Sequence, residues 1–259
     1  MEFVDQMNRK IRLDQRPSRI VSLVPSQTEL LHYFGLEDEV VGITKFCISP
    51  NSWFKSKERV GGTKNVNLEK IKALKPDLII GNKEENTFED IIELEKIAPV
   101  WMSDIYTLED ALNMIFMLGK LLGKYEESKS LIQSIEKEFK ILTLNKTKEV
   151  KKVLYFIWKD PHMVAGKNTF VDDLLNRCGF ENETSEERYP EIDFDNLNPD
   201  FVFLSSEPFP FSEEHMAYFK TKFPNAQTKL VDGEMFSWYG SRLLKTASYL
   251  RSLQQELFH

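Results

Sequence analysis

Apolar positions along this chain fall into two alternating patterns. Short continuous runs bounded by turn residues read as buried strands, and stretches with apolar residues every three or four positions read as helices. In the first half, "RIVSLV" (19–24) predicts a strand and "SQTELLHYFG" a helix, with Ser26 as N-cap, Glu29 as its capping-box partner and Gly35 as the stop. "EVVGIT" (39–44), "DLIIG" (77–81) and "VWMSD" (100–104) predict further strands, separated by helices over "NLEKIKALKP" (67–76) and "TFEDIIELEKIA". Strands alternating with helices imply an α/β protein with doubly wound parallel sheets.

The second half repeats the first. "LKPDLIIGNKEEN" (74–86) and "LNPDFVFLSSEPF" (197–209) share Leu-x-Pro-Asp, then an aliphatic or aromatic run, then a polar loop bearing glutamate. In each, the Pro-Asp pair is expected to close a helix and open a buried strand, because proline disfavours helix at the preceding residue. "KVLYFIW" (152–158) before "TFVDDLLNRCG" (169–179) parallels "RIVSLV" before "TELLHYFG", and "TKLVD" (228–232) parallels "VWMSD". Two related lobes follow, residues 1–106 and 151–259. The segment 107–150 predicts connecting helices, with a start at Thr107 and Asp110, a break allowed by Gly119 and Gly123, and one unbroken helix from Tyr125 to Leu144. At 1.5 Å per residue that helix is roughly 30 Å long, a stiff connector rather than a flexible linker.

Composition narrows the classes. With 259 residues, 41% hydrophobic and 29% charged, the chain is an ordinary globular one. A formal charge of −7 argues against binding nucleic acid through phosphate neutralisation. Cys47 and Cys178 form no CxxC motif; one bridge or two free thiols both fit, and free thiols are favoured. "MEFVDQMNRKIRLDQRPSR" has no apolar core of a signal peptide, and no apolar run of membrane-spanning length follows, so no membrane insertion is expected. Either an upstream leader is missing or the protein works inside the cell.

In open parallel sheets, ligands bind beyond the carboxyl ends of the strands. Those loops carry Ser26 and Gln27; Phe46, Cys47, Trp53, Thr63 and Lys64; Trp158 and His162; Arg188 and Tyr189; Glu207; and the stretch "DGEMFSWYGSRLL" with Phe236, Trp238, Tyr239 and Arg242. Aromatic faces in a cleft suit a large, flat, partly apolar ligand. Phe46 and Phe236 read equally well as core, whereas Trp238 and Tyr239, flanked by serine and glycine, are expected to face the cleft.

Sharper chemistry is mostly excluded. "GGTK" lacks the phosphate-loop spacing, and neither GxGxxG nor GxSxG occurs. His32, His162, His215 and His259 show no paired metal-ligand spacing. His32 reads as structural, and His162 as a candidate axial ligand to a metal carried by the guest. Glu207 with His162 is the one acid–base pair that would support an enzyme.

"RIVSLVPSQTELL", "RVGGTKNVNLEKIKALKPDLII" and "CGFEN" resemble the substrate-binding proteins of ABC importers for cobalamin, iron-siderophores and haem. The resemblance runs from about Arg19 to Leu250. It implies two α/β lobes joined by a rigid backbone helix, a ligand cleft between them, and no enzymatic activity. The ligand would be a corrinoid, haem or ferric chelate bringing its own cobalt or iron, with no intrinsic cofactor. The receptor would be a monomer delivering to a permease, periplasmic or at the cell surface, although no signal peptide is visible and a leaderless cytoplasmic corrinoid- or metal-handling protein is the alternative. The resemblance maps the permease-docking glutamate of the first lobe onto Glu69, and that of the corresponding second-lobe helix onto Asp195. It maps a pocket aromatic onto Tyr189 and the last ligand-contacting loop onto Trp238, Tyr239 and Arg242. Arg242 and Lys64 would pair with peripheral carboxylates or amides of the ligand.

Overall fold

A computed structural model describes residues 1–144 and 150–258; residues 145–149, inside the expected connecting segment, and His259 lie outside the described residues. The chain packs as two compact units. The first comprises Met1–Asp104, Glu109–Ser134 and Tyr239–Arg242, and the second Ile105–Leu108, Ile135–Trp238 and Leu243–His259.

The first unit begins with a hairpin of β1 (Glu2–Val4) and β2 (Lys10–Arg12), followed by β3 (Ile20–Ser22), α1 (Pro25–Tyr33), β4 (Val40–Ile43), α2 (Asn51–Ser56) and β5 (Glu58–Arg59). A small hairpin, β6 (Gly61–Gly62) and β7 (Asn65–Val66), precedes α3 (Leu68–Leu74), β8 (Leu78–Asn82), α4 (Phe88–Glu95) and β9 (Val100–Ser103). The main sheet is parallel, in the order β5-β4-β3-β8-β9. From β3 the chain winds first to one side and later to the other, so the strand order reverses between β3 and β8. The loops after these two strands therefore flank the switch point where such sheets take ligands. Both strands are buried along their whole length, as expected for strands covered on both faces.

Helix starts follow side-chain chemistry in two places and depart from it in a third. Asn67 caps α3 by accepting from Lys70 N at 2.9 Å, and Thr87 caps α4 by accepting from Asp90 N at 3.3 Å. For α1 the expected Ser26 cap is wrong: the helix starts at Pro25, a residue preset for a first turn, and Val24 is the cap residue without a side-chain bond. Gly35, at φ +68°, follows the last turn as expected. The hairpins and α2 carry too few residues to show a period, and the sequence pattern did not reveal them.

β9 would present an open edge, and the N-terminal turn covers it. Gln6 N donates to Met102 O at 3.1 Å, and Met102 N donates to Asp5 Oδ2 at 3.2 Å. The buried Asp5 carboxylate also accepts from Met7 N, Arg9 N and Arg9 Nε at 2.8–3.0 Å.

Two helices follow, α5 (Leu108–Leu121) and α6 (Tyr125–Leu144), the latter with the predicted bounds; the division into units falls inside α6, between Ser134 and Ile135. The second unit contains β10 (Lys151–Trp158), β11 (Met163–Val164), α7 (Phe170–Arg177), β12 (Phe180–Asn182), β13 (Phe201–Ser205), α8 (Glu213–Lys222), β14 (Gln227–Val231), α9 (Glu234–Ser237) and α10 (Leu243–Phe258). β10 pairs in parallel with β12 and with β13, and β13 with β14, so the order again reverses beside the first long strand. Leu154, Phe156, Val202, Leu204, Phe211 and Phe219 form the core on one side of this sheet.

The two Leu-x-Pro-Asp motifs do the same work. Asp77 N donates to Arg19 O at 2.9 Å while its carboxylate accepts from Arg19 N at 2.9 Å. Asp200 N donates to Lys152 O at 2.9 Å while its carboxylate accepts from Lys152 N at 2.8 Å. Each aspartate thus ties the start of its own strand to the start of the neighbouring one. The expected helix before Pro199 is absent: residues 192–199 are turn and irregular backbone, with Asn196 at φ +64°.

Candidate functional site

In the first unit a buried polar network underlies the loops at the switch point. Gln27 Nε2 on α1 donates to Ser103 Oγ at 2.6 Å, and Asn82 Nδ2 donates to the same hydroxyl at 3.0 Å. Asn82 N donates to Asn86 Oδ1 at 2.9 Å, and Asn86 Nδ2 reaches Thr63 O at 2.9 Å. The network links the ends of β8 and β9 to the β6–β7 turn and fixes the backbone that carries Lys64. Buried amides that bond one another hold such loops in one conformation, although the Gln27 Oε1 acceptor itself is left unpaired. Thr63 is itself buried and contributes its carbonyl rather than a free hydroxyl.

Above this base lie Phe46, half exposed at 50%, and exposed Lys45, Lys64 and Glu85. Lys45 Nζ sits 5.0 Å from the Phe46 ring centroid. Desolvation pushes the Glu85 carboxyl up and Lys64 partly opposes it, although the side chain is open to water. Cys47 is a fully buried free thiol between Thr28 and Thr44, each 3.1 Å from its sulfur, and burial pushes its pKa up. A protonated, enclosed thiol is a packing group, not a metal ligand.

Several predicted contacts in this unit are corrected by burial. Ser26 is buried. Trp53 is fully buried; its indole N–H bonds the Glu37 carboxylate and its ring meets His32 edge-on at 5.3 Å. Arg242 is not held out for a ligand: Nε donates to Glu29 Oε2 at 2.9 Å, with the two side chains only 9% and 15% exposed. Glu29 is therefore the partner of Arg242 and not half of a capping box. The pair pins the Tyr239–Arg242 segment to α1, and a Cβ at Gly240 would lie 3.3 Å from that of Leu30.

In the second unit the loops after β10, β12 and β13 form the matching set. Trp158 is 40% exposed, donates from Nε1 to Asp160 O at 3.1 Å, and meets Phe209 edge-on at 5.7 Å. Arg188 lies between two tyrosine rings, 4.9 Å from Tyr106 and 5.5 Å from Tyr189, and its Nη1 donates to Asn168 O at 2.6 Å. Its φ of +65° is a conformation that costs a non-glycine residue energy and recurs at functional sites. Tyr106 was missed in the sequence; its position just past β9 was the available signal.

His162 belongs to an aromatic cluster. Its ring stacks on Tyr218 at 5.5 Å and meets Phe194 edge-on at 4.8 Å, and Nε2 is sealed from solvent and unpaired. Burial pushes its pKa down, with Lys159 and Lys222 acting the same way and Asp160 opposing. An axial-ligand role is therefore corrected to a packing one. Glu207 instead accepts from Ser237 Oγ at 2.5 Å and Trp238 Nε1 at 3.0 Å, and no bond joins it to His162 among the described residues. Phe236 is fully buried against Tyr155, with centroids 5.0 Å apart. Trp238 and Tyr239 are buried at 6% and 7% exposure, against the expectation of open faces.

Glu69 is exposed in the first turn of α3. Asp195 is exposed but sits in a turn, so the helix that was to carry it does not exist. Among the described residues no cluster of His, Cys, Asp or Glu could hold a metal ion, and no helix is long and apolar enough to cross a membrane.

Two parallel-sheet units, each with its strand-order reversal facing a loop set of aromatics and cations, define a binding protein of the bilobal α/β class. The periplasmic binding protein family matches residues 20–222, and the chain belongs to that family, the substrate-binding proteins of ABC transporters. An uncharacterised ABC transporter substrate-binding lipoprotein of Bacillus subtilis is 30% identical over 212 residues, covering 76% of this chain and 67% of that one. A vitamin B12-binding protein of Vibrio parahaemolyticus is 30% identical over 199 residues, covering 72% and 70%. Among solved structures, the periplasmic vitamin B12-binding protein of Vibrio cholerae aligns with a TM-score of 0.77 at 21% identity, covering 93% of this chain and 97% of that one. A petrobactin-binding protein of Bacillus subtilis aligns with a TM-score of 0.80 at 17% identity, covering 98% of both chains, which establishes a shared fold.

Proposed function

We propose that this protein is a non-enzymatic receptor for a bulky, metal-containing ligand of the corrinoid, haem or ferric-chelate class, which it hands to an ABC importer. The observation that carries the reading is the pairing of aromatic and cationic side chains in the loops that follow the strands: exposed Phe46, Lys45 and Lys64 in the first unit, and exposed Trp158 with half-buried Arg188 and Tyr189 in the second. Aromatic faces take up the apolar surface of such a ligand, and the cations suit its peripheral carboxylates or amides. The ligand keeps its own metal, consistent with the sealed His162 and the enclosed Cys47. The exposed Glu69 is the residue we assign to permease docking, and we place the site of action outside the cytoplasmic membrane, a reading supported by a relative being named a substrate-binding lipoprotein.

The test is a titration of purified protein with cobalamin, cobinamide, haem and ferric siderophores, following tryptophan fluorescence. Saturable one-to-one quenching by one class, weakened in Trp158→Ala, supports the receptor. Turnover of an added compound without stoichiometric binding overturns it in favour of an enzyme.

A further inference from the structure

We infer that Glu207 is a positioning residue that holds the buried Trp238 indole, and with it the α9 turn beyond the carboxyl end of β14, in the arrangement that ligand binding requires, an inference that rests on the receptor reading above. Glu207 stands two residues beyond Ser205, the last residue of β13, beside the point where the strand order of the second unit reverses. Its backbone is fixed first: Tyr155 OH donates to Ser205 Oγ at 3.1 Å, and Ser205 Oγ donates to Glu207 O at 2.6 Å. The carboxylate then points at the α9 turn, where one oxygen accepts from both Ser237 Oγ at 2.5 Å and Trp238 Nε1 at 3.0 Å.

The local sequence is built to admit this arrangement. Gly233 N donates to Ser206 Oγ at 2.9 Å, and a Cβ at Gly233 would come within 2.6 Å of Glu207 Cγ and 2.4 Å of Ser205 Oγ. Only glycine lets the α9 turn approach the carboxylate this closely. Trp238 is 6% exposed, so its N–H has little water to fall back on if the acceptor is removed. A buried donor that loses its acceptor is costly to leave unpaired, which favours any rotamer in which it finds another partner. The aromatic that ends the turn is thereby set by a residue some 30 positions away, as the sequence separation of the bond shows.

The distinguishing readout needs no ligand. In protein labelled with 15N-tryptophan, the Trp238 indole N–H cross-peak, assigned from its loss in Trp238→Phe, should sit downfield. It should move upfield in Glu207→Leu and in Glu207→Asp, whose shorter side chain cannot reach both donors. It should stay close to the native position in Glu207→Gln, whose amide oxygen can still accept. With cyanocobalamin and haemin as probes, Glu207→Leu should weaken binding of the probe that saturates native protein by roughly tenfold, the size of one lost charged hydrogen bond, with Glu207→Gln restoring most of it. If Glu207→Leu fails to fold, Glu207→Asp carries the same comparison. An unmoved cross-peak overturns the tether. A moved cross-peak with unchanged affinity overturns the positioning role. If neither probe saturates native protein, the receptor reading loses its support and takes the affinity claim with it, while the cross-peak still decides the tether.

Discussion

Replacing Arg242 separates a structural ion pair from a ligand contact, two roles that the sequence alone leaves indistinguishable. The guanidinium donates to Glu29 at 2.9 Å with both side chains at or below 15% exposure. At that burial, breaking the pair from one side leaves an unpaired charge in the interior, which costs about 3–5 kcal/mol, far above the 0–1 kcal/mol of a surface bridge. Arg242→Met should therefore destabilise the first unit by about 3–5 kcal/mol, lowering its melting temperature by on the order of 10 °C. Glu29→Gln should cost somewhat less, because the amide can still accept one bond.

The double variant decides the matter. With Glu29→Leu and Arg242→Met together, both charges leave the interior, and a buried pair replaced by apolar groups is often neutral or better. The coupling energy from urea unfolding should therefore be large, about 2 kcal/mol or more. Two units permit two transitions, so unfolding is best followed by probes that report on each, with the loss expected in the first unit. If Arg242→Met melts like the native protein, or if the two single costs simply add, the pair is not holding α1 to the 239–242 segment. A variant of native stability that no longer binds ligand would return Arg242 to the ligand-contacting role.

Further outcomes follow from other sites. The two motif aspartates should behave alike: Asp77→Ala and Asp200→Ala each remove a carboxylate that accepts from a neighbouring strand's backbone N–H, and each should cost about 1–3 kcal/mol by urea unfolding; a large cost in one and none in the other would break the repeat argument. His162 has a depressed pKa, so the unfolded chain takes up a proton near pH 6.5 that the native cluster resists. Stability should thus fall, relative to His162→Phe, as pH drops from 7 toward 5, and a constant difference or one of opposite sign would refute the packing assignment. Gly233→Ala should shift the Trp238 fluorescence maximum and destabilise the second unit, since its Cβ meets Ser205 Oγ at 2.4 Å; an unchanged spectrum would show that the turn relaxes without disturbing Glu207.

The layer architecture was legible because it rests on periodicity and on punctuation. Strands such as Leu78–Asn82 and Phe201–Ser205 are continuous apolar runs, and the twin Pro-Asp pairs announce them. The start of helix α6 was placed correctly because Gly123, at φ +66°, breaks the chain just before Tyr125, and an apolar period carries the helix onward. What failed did so where tertiary partners outrank local chemistry. Glu29 stands where a capping box would place a glutamate, yet a buried arginine more than 200 positions away claims it. Asp195 aligned with a docking carboxylate, but Asn196 in a left-handed conformation interrupts the helix that would carry it.

The aromatic stretch near the C-terminus shows why residue type alone overstated the site. Trp238 and Tyr239 were read as open faces because glycine and serine flank them, and small neighbours usually mark exposed loops, while Phe236 read equally well as core. Here the small residues serve the opposite purpose. Gly233 lets the turn press onto Glu207, Ser237 adds a second donor to the same oxygen, and Gly240, at φ +98°, lets the backbone lie against α1. Close approach of backbone is what buries the large rings beside it. Phe46 and Trp158 do remain open and Tyr189 is half-buried, in segments held by other means: the Lys45 N–Gly61 O bond beside Phe46 in the first unit, the Trp158 Nε1–Asp160 O bond and the Arg188 guanidinium beside Tyr189 in the second. Stacking on the first unit is therefore expected to answer to Phe46 and stacking on the second to Trp158 and Tyr189, while the buried C-terminal aromatics set the rigidity of the turns that carry them.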